Sequence, residues 1–215
     1  KTKIWDAWAD EEGRLETAYG RFWRRYPVPE ISLDGEVFAD ENNPWTTREE
    51  NGQLVFDQIQ YIIDTLKEMK VNPQTRNGRR MIVVAWNPGN ATISKLPPCH
   101  YTFAFNVSGN KLNCHLTQRS GDIALGIPFN LACYSLLTMM IAKECAYEPG
   151  EFAHTIIDAH IYENHIDGLR EQLKREPMKL AKIKIADKPF DELTFEDITL
   201  EDYESHPAIK FEVAV

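Results

Sequence analysis

The sequence predicts one α+β domain over residues 1–215, with a mixed sheet, packed helices and a central buried helix. Three observations predict it. Helical and extended stretches alternate irregularly and include a hairpin, which favours α+β over a doubly wound parallel sheet. The stretch Ile123 to Ala142 carries no charge, yet Gly126, Pro128 and Asn130 interrupt its first half. Proline suits the first turn of a helix, so a loop followed by a buried helix from about Phe129 to Ala146 fits better than a membrane span. The third observation is size: 215 residues with 43% hydrophobic content suffice for one core.

The elements follow in order. Lys3 to Tyr26 is aromatic-rich, with Trp5, Trp8, Tyr19, Phe22, Trp23 and Tyr26. Val55, Ile59, Ile62, Ile63, Leu66 and Met69 recur at helical spacing, and Asn72-Pro73 ends that helix. Met81 to Trp86 reads as a buried strand. Thr102 to Val107 and Lys111 to Thr117 read as the two arms of a hairpin around Ser108-Gly109-Asn110. In the second arm Leu112, Cys114 and Leu116 share one face. Thr155 to Tyr162 alternates too, placing Asp158, His160 and Tyr162 together. A helix runs through Leu173 and stops before Pro177; Leu180 to Ala186 reads as a strand, and Thr194-x-x-Asp197 as a capping box.

The net charge is −9. From Val28 to Gly52, seven acids face Arg48 alone, so residues 28–52 read as an acidic surface insertion. An acidic chain argues against coating nucleic acid and leaves room for a small anionic ligand in a local basic pocket. The four cysteines form no C-x-x-C pair, which fits a reducing compartment, and no signal peptide is visible; a cytoplasmic location is expected. His160 and His165 lack metal-ligand spacing, so no metal is expected. No glycine-rich dinucleotide or phosphate loop occurs.

Chemistry concentrates between Leu96 and Asn130. Leu96-Pro97-Pro98-Cys99-His100 is followed by Gln118-Arg119-Ser120-Gly121-Asp122 and by Gly126-Ile127-Pro128-Phe129-Asn130. A thiol has a reference pKa of about 8.5, and a nearby cation raises its thiolate fraction. An arginine beside a cysteine therefore suits nucleophilic catalysis and also a phosphorylated substrate. Two prolines fix Cys99 at a strand entrance, whereas Cys114, Cys133 and Cys145 sit in core patterns. Cys99 and His100 are not a dyad by adjacency, because strand neighbours point apart. Arg119 and Ser120 together could grip a phosphate. Arg79-Arg80, read alone, fit a solvated turn.

Several of these motifs together resemble the thymidylate synthase family. They are Pro97-Pro98-Cys99-His100, Gln118-Arg119-Ser120-x-Asp122, Leu125-Gly126-Ile127-Pro128-Phe129-Asn130 and Asp158-Ala159-His160-Ile161-Tyr162. Ile4-Trp5-Asp6-x-Trp8-Ala9-Asp10, Tyr19-Gly20, Arg79-Arg80 and Val213-Ala214-Val215 agree in order, so the resemblance spans the chain apart from the acidic insertion. It implies a methyltransferase of nucleotide biosynthesis. Such an enzyme converts dUMP to dTMP with 5,10-methylenetetrahydrofolate through a covalent Cys99–C6 adduct and yields dihydrofolate.

The resemblance also implies roles. Cys99 is the nucleophile, Arg119 supports it, and Tyr19 helps remove the C5 proton. Arg119, Ser120, Gln118, Asp122, Asn130, His160 and Tyr162 hold dUMP. Arg79 and Arg80 reach the phosphate across a homodimer interface. Ile4, Trp5, Trp8, Leu96, Asp122, Leu125, Gly126, Phe129 and Val215 line the folate site. No membrane, metal or nucleic acid is required. The family pattern includes a stretch before Ile4-Trp5 with a phosphate-binding arginine loop and a glutamate; the chain starts at Lys1 without it, so dUMP binding is expected to outlast turnover. Two alternatives share much of this chemistry: a deoxypyrimidine nucleotide hydroxymethylase, which ends with water instead of hydride, and a binding-only truncated form. Asn130 favours uracil, since a cytosine site more naturally holds an acid there. A cysteine hydrolase is a weaker rival, for which no base and oxyanion pocket can be located.

Overall fold

The computed structural model describes residues 9–13, 19–29, 35, 43–94 and 96–213. The first elements frame the site. Helix α1 (Tyr19–Arg24) leads into β1 (Tyr26–Pro27); β2 (Thr46–Arg48) and β3 (Leu54–Phe56) complete a three-stranded antiparallel sheet in the order β1-β3-β2. The expected acidic insertion lies partly outside the described residues. Its described end is built into the fold: β2 pairs with β3, and the Trp45 indole donates to Asp64 at 2.9 Å while packing edge-on against Tyr61.

Helix α2 (Gln58–Val71) matches its predicted period, with Ile59, Ile62, Ile63 and Leu66 buried. Val55, read as helical, lies one element earlier in β3. The Asp57 carboxylate starts α2 by accepting the Gln60 N–H at 2.8 Å, and its other oxygen takes Arg24 Nε at 2.9 Å, tying α1 to the helix start. Buried Gln58 donates to the carbonyls of Phe22 and Val84 and accepts the Val84 N–H. One side chain thus locks α1, and with it Tyr19, against the main sheet.

That sheet runs β4 (Ile82–Val84), β5 (His100–Ser108), β6 (Lys111–Asp122), β7 (Glu148–His160), with the short helix α3 (Pro88–Ala91) between β4 and β5. The predicted hairpin is β5–β6, turning at Gly109, whose φ of 62° is the left-handed conformation that glycine adopts freely. β6 and β7 are parallel, so the sheet is mixed. The crossover between them contains α4 (Gly126–Glu144), as parallel neighbours require a long connection. Leu112, Cys114 and Leu116 face the core together, as their alternation predicts, against Ile62, Phe103, Tyr134 and Ile141.

Two expectations are corrected here. α4 is apolar all round but buries one face only: Tyr134, Thr138, Ile141 and Ala142 are inside, while Phe129 and Leu131 are exposed. Cys133 is exposed on the same outer side rather than in the core. Both follow from the sheet covering a single flank of the helix. Among the described residues no helix is long and apolar enough to cross a membrane.

Helix α5 (Ile166–Gln172) follows β7, and β8 (Lys182–Ile185) pairs antiparallel with β9 (Ile198–Glu201), a strand the sequence pattern did not reveal. The predicted capping box forms at Thr194 and Asp197. Among the described residues the four-stranded sheet leaves its second face open: Ile82, between buried Met81 and Val83, and Ile157 are exposed there.

Candidate active site

Cys99 ends the Pro97-Pro98 loop at the mouth of β5, partly exposed. The thiol lies within reach of a guanidinium. Arg119 enters from β6: its main-chain N–H donates to the Cys99 carbonyl at 2.8 Å, Nε donates to the Pro98 carbonyl at 3.0 Å, and Nη2 donates to the Pro97 carbonyl at 2.9 Å. The same Nη2 stands 3.7 Å from Cys99 Sγ. One guanidinium therefore shapes the loop and places positive charge at the sulfur. It also lies against Trp86, whose carbonyl is held by the Tyr26 hydroxyl at 3.1 Å.

Tyr19 closes the other side. The Cys99 N–H donates to its hydroxyl at 2.7 Å, and its ring stacks on His100 with centroids 3.7 Å apart. Burial, followed by the neighbouring Cys99 charge, raises the Tyr19 pKa, so the phenol stays protonated. His100 Nδ1 lies 2.7 Å from the Tyr134 hydroxyl. Burial, with a smaller contribution from His154, lowers the His100 pKa to about 3, which keeps the ring neutral. His100 is accordingly a packing and hydrogen-bonding partner, not an imidazolium.

Next to this cluster, Gln118 pairs across the ladder with His100 and is almost fully buried. Its Nε2 donates to the Ser120 carbonyl at 2.8 Å and to Asn130 Oδ1 at 3.1 Å. The Asn130 amide on α4 is thereby drawn toward the strand that carries Arg119. Asp122, at the end of β6, accepts the Ala124 N–H at 2.9 Å through Oδ1, and His165 Nδ1 stands 3.6 Å from the same oxygen. Leu125, Gly126 and the exposed Phe129 follow at the start of α4. His160 and Tyr162 meet edge to face at 5.1 Å, although Tyr162 lies just past the end of β7.

The structure thus brings Cys99, Arg119 and Tyr19 into direct contact, and sets the Gln118–Asn130 pair beside them through the His100–Gln118 strand pairing. Ser120 and Asp122 continue the same strand, and β7 lays Asp158 and His160 beside them in register. Leu96 precedes the prolines and is half-buried. Arg79 and Arg80 stand exposed before β4, and no hydrogen bond or ion pair among the described residues ties them to Cys99. Ile4, Trp5, Trp8 and Val215 lie outside the described residues.

Sequence reasoning missed Tyr134, His154 and His165. Tyr134 sits in an uncharged run and reads as core. His154 was legible in principle, since it precedes Asp158 and His160 at even spacing on one strand face. His165 is wholly buried, with Nε2 2.6 Å from the Glu212 carbonyl, a contact 47 residues along the chain that no local pattern encodes.

The cluster's residues can be set beside known proteins. The thymidylate synthase family model matches residues 1–215. Over 162 residues, 75% of this chain, the sequence is 59% identical to a thymidylate synthase of Haloferax volcanii. That match takes in 44% of the relative, so the chain spans less than half of its length. A match that runs through loops and strands alike, from the first residue to the last, leaves one reading of descent: this chain belongs to the thymidylate synthase family.

Proposed function

We propose that the site catalyses the reductive methylation of dUMP to dTMP, with Cys99 as nucleophile. The observation that carries this reading is Arg119 Nη2 at 3.7 Å from Cys99 Sγ, held there by two proline carbonyls. The Cys99 thiolate adds to C6 of the uracil ring, forming the S–C6 bond while the C5=C6 electron pair moves toward C5 and O4. C5 becomes nucleophilic, which it is not in free dUMP. Covalent catalysis divides one forbidding displacement into feasible steps. After carbon is delivered to C5, loss of the C5 proton breaks the bond from that carbon to its carrier and leaves an exocyclic methylene; hydride addition to the methylene then re-forms C5=C6, breaks the S–C6 bond, frees dTMP and restores the thiolate. Tyr19, protonated and fixed on the Cys99 N–H, orders the proton acceptor near C5. Asn130 reads the N3–H and O4 edge, since an amide both donates and accepts. Arg119 and Ser120 hold the phosphate, and His160 and Tyr162 hold the deoxyribose hydroxyl.

Methylenetetrahydrofolate supplies the one-carbon unit and, as hydride, the electrons that make it a methyl, leaving as dihydrofolate. The residues present fit such a ligand. Asp122 uses Oδ1 for Ala124 and offers its second oxygen to N–H groups of a flat heterocycle, beside the exposed Phe129 ring. Leu96, Leu125 and Gly126 extend that wall. Ile4, Trp5, Trp8 and the Val215 carboxylate complete it in this proposal.

The working unit is proposed to be a homodimer in the cytoplasm. The open sheet face, with Ile82 and Ile157 exposed, supports a partner surface. Arg119 occupies an alternating position beyond exposed His115, so arginines Arg79 and Arg80 of a second subunit approach the phosphate from that side.

Trapping tests the reading. Incubation with 5-fluoro-dUMP and methylenetetrahydrofolate is expected to leave a stable adduct on Cys99, because fluorine blocks proton loss at C5, and none in Cys99→Ser. The mass of the product made from dUMP separates methyl from hydroxymethyl transfer. Absence of both adduct and product would retire the catalytic proposal in favour of binding alone.

A further inference from the structure

The buried amide chain behind the proposed pyrimidine edge has a fixed polarity, and it continues one residue past Gln118. The Ser120 carbonyl can only accept, so the Gln118 nitrogen must face it at 2.8 Å. The second hydrogen of that nitrogen goes to Asn130 Oδ1 at 3.1 Å. Gln118 Oε1 then faces His154 Nε2 at 3.0 Å, which must carry a proton. Donor and acceptor roles are therefore set from a backbone carbonyl to Asn130 by the hydrogen-bond network itself. The His154 ring is held for this task by Phe152, 5.7 Å away, which is itself parallel to Tyr134. Burial, then the nearby His115, lowers the His154 pKa, so the ring is neutral and its single proton is committed to Gln118.

We propose that His154 is a positioning residue for base discrimination: its Nε2–H holds Gln118 in the orientation that makes Asn130 a reader of uracil and not of cytosine. The inference rests on the proposed placement of Asn130 at the pyrimidine edge. Uracil offers a donor at N3 and an acceptor at O4. Cytosine offers an acceptor at N3 and a donor at N4. With Gln118 donating to Asn130 Oδ1, the Asn130 nitrogen is left for O4, and its oxygen keeps a lone pair for N3–H. A rotated Asn130, which would suit cytosine, sets N–H against the Gln118 N–H. Removing the His154 donor strands Gln118 Oε1 as an acceptor in a residue only 2% exposed. To satisfy that oxygen the Gln118 side chain must leave this geometry and give up its bonds to Ser120 and Asn130, and an Asn130 released from Gln118 is free to rotate and tolerate cytosine.

The test uses His154→Phe and His154→Gln in the full-length protein, with Kd for dUMP and dCMP measured calorimetrically and kcat and KM measured for dUMP. His154→Phe keeps a ring and loses the donor. It is expected to narrow the dUMP-to-dCMP ratio of Kd values by about tenfold, the order of one buried hydrogen bond, and to raise KM for dUMP more than it lowers kcat. His154→Gln returns an N–H at similar reach and is expected to recover most of the ratio. Gln118→Met, which removes the relay amide itself, is expected to narrow the ratio as His154→Phe does. An unchanged ratio in His154→Phe overturns the proposal. Equal losses in His154→Phe and His154→Gln also overturn it, since they would mark a merely structural histidine. If the wild-type protein fails to prefer dUMP and Asn130→Asp changes nothing, the placement of Asn130 fails and the relay fails with it. A wild type that prefers dUMP makes the outcome specific to His154.

Discussion

The backbone N–H of Cys99 donates to the Tyr19 hydroxyl at 2.7 Å, so the thiol-bearing loop and the phenol are fixed to one another across 80 residues of sequence. Because burial and the adjacent Cys99 charge raise the Tyr19 pKa, the phenol remains protonated through neutral and moderately alkaline pH. Tyr19→Phe keeps the stack on His100 and loses the hydroxyl. Turnover is expected to fall about 100-fold, in the range of one lost acid–base group, with dUMP affinity nearly unchanged. Tritium release from dUMP labelled at C5 should fall in parallel. Normal tritium release in the variant would remove Tyr19 from the proton-transfer step.

Arg119 does two jobs with one planar group, and lysine cannot copy both. A lysine ammonium can supply charge near Cys99 Sγ, but not the fork that spans the Pro97 and Pro98 carbonyls. Arg119→Lys is therefore expected to lower kcat by about 10- to 100-fold, as hydrogen bonds to a charged donor are worth about 1.5–3 kcal/mol each. Alkylation of Cys99 by iodoacetamide should slow as well. A variant with wild-type turnover would show that charge alone suffices.

Much of the fold was legible in the sequence for a physical reason. Alternation along Leu112, Cys114 and Leu116 and the period of Ile59 to Leu66 report burial directly, and both elements appear where those patterns place them. The Cys99 loop and the Arg119 strand were visible because prolines and charges are conspicuous in sequence. Their mutual geometry was not, since a ladder between His100 and Gln118 must form first. α4 misled because its apolar composition carries no record of which face the sheet covers. β9 was missed because Ile198, Thr199, Leu200 and Glu201 form too short a run to stand out from the loops around it.

His100 makes stability depend on pH. Its folded pKa is lowered to about 3, below the unfolded value of 6.5. Below pH 6.5 the unfolded chain binds a proton that the folded state refuses, so stability is full above that value and declines as pH falls toward 3. The slope approaches about 1.4 kcal/mol per pH unit for one such group. Urea titrations between pH 7 and 5 should show this slope flattened in His100→Gln, which retains a hydrogen-bonding partner for Tyr134. Identical slopes in both proteins would mean that His100 titrates normally in the folded state.

Phe211 and Glu212 dock on α5 and its approach through close packing. A Cβ on Gly168 would stand 2.5 Å from Phe211 Cε1, and Phe211 packs edge-on against buried His165 at 5.2 Å. Gly168→Ala must therefore displace the Phe211 ring and loosen the Glu212 carbonyl from His165 Nε2. Overpacking of this kind costs about 1–3 kcal/mol. The expected results are faster cleavage of the tail by carboxypeptidase and weaker retention of the 5-fluoro-dUMP adduct's folate, with binary dUMP affinity little changed. Wild-type cleavage kinetics would show that the ring has room to move.

If Arg79 and Arg80 serve the neighbouring subunit, activity can be rebuilt from two inactive proteins. Both arginines are exposed before β4, and no hydrogen bond or ion pair among the described residues ties them to Cys99 of their own chain. Arg80→Ala with Arg79→Ala leaves Cys99 intact but sends no cations across; Cys99→Ser sends the cations but has no nucleophile. A heterodimer of the two then contains one site with Cys99 from the first subunit and arginines from the second. Random exchange at equal concentrations should return about a quarter of wild-type activity, since half the dimers are mixed and each carries one complete site. Ile157→Lys, which puts charge on the open sheet face, should abolish this recovery by preventing association. Were the arginines used within their own subunit, every site in the mixture would lack one component, and no activity would return.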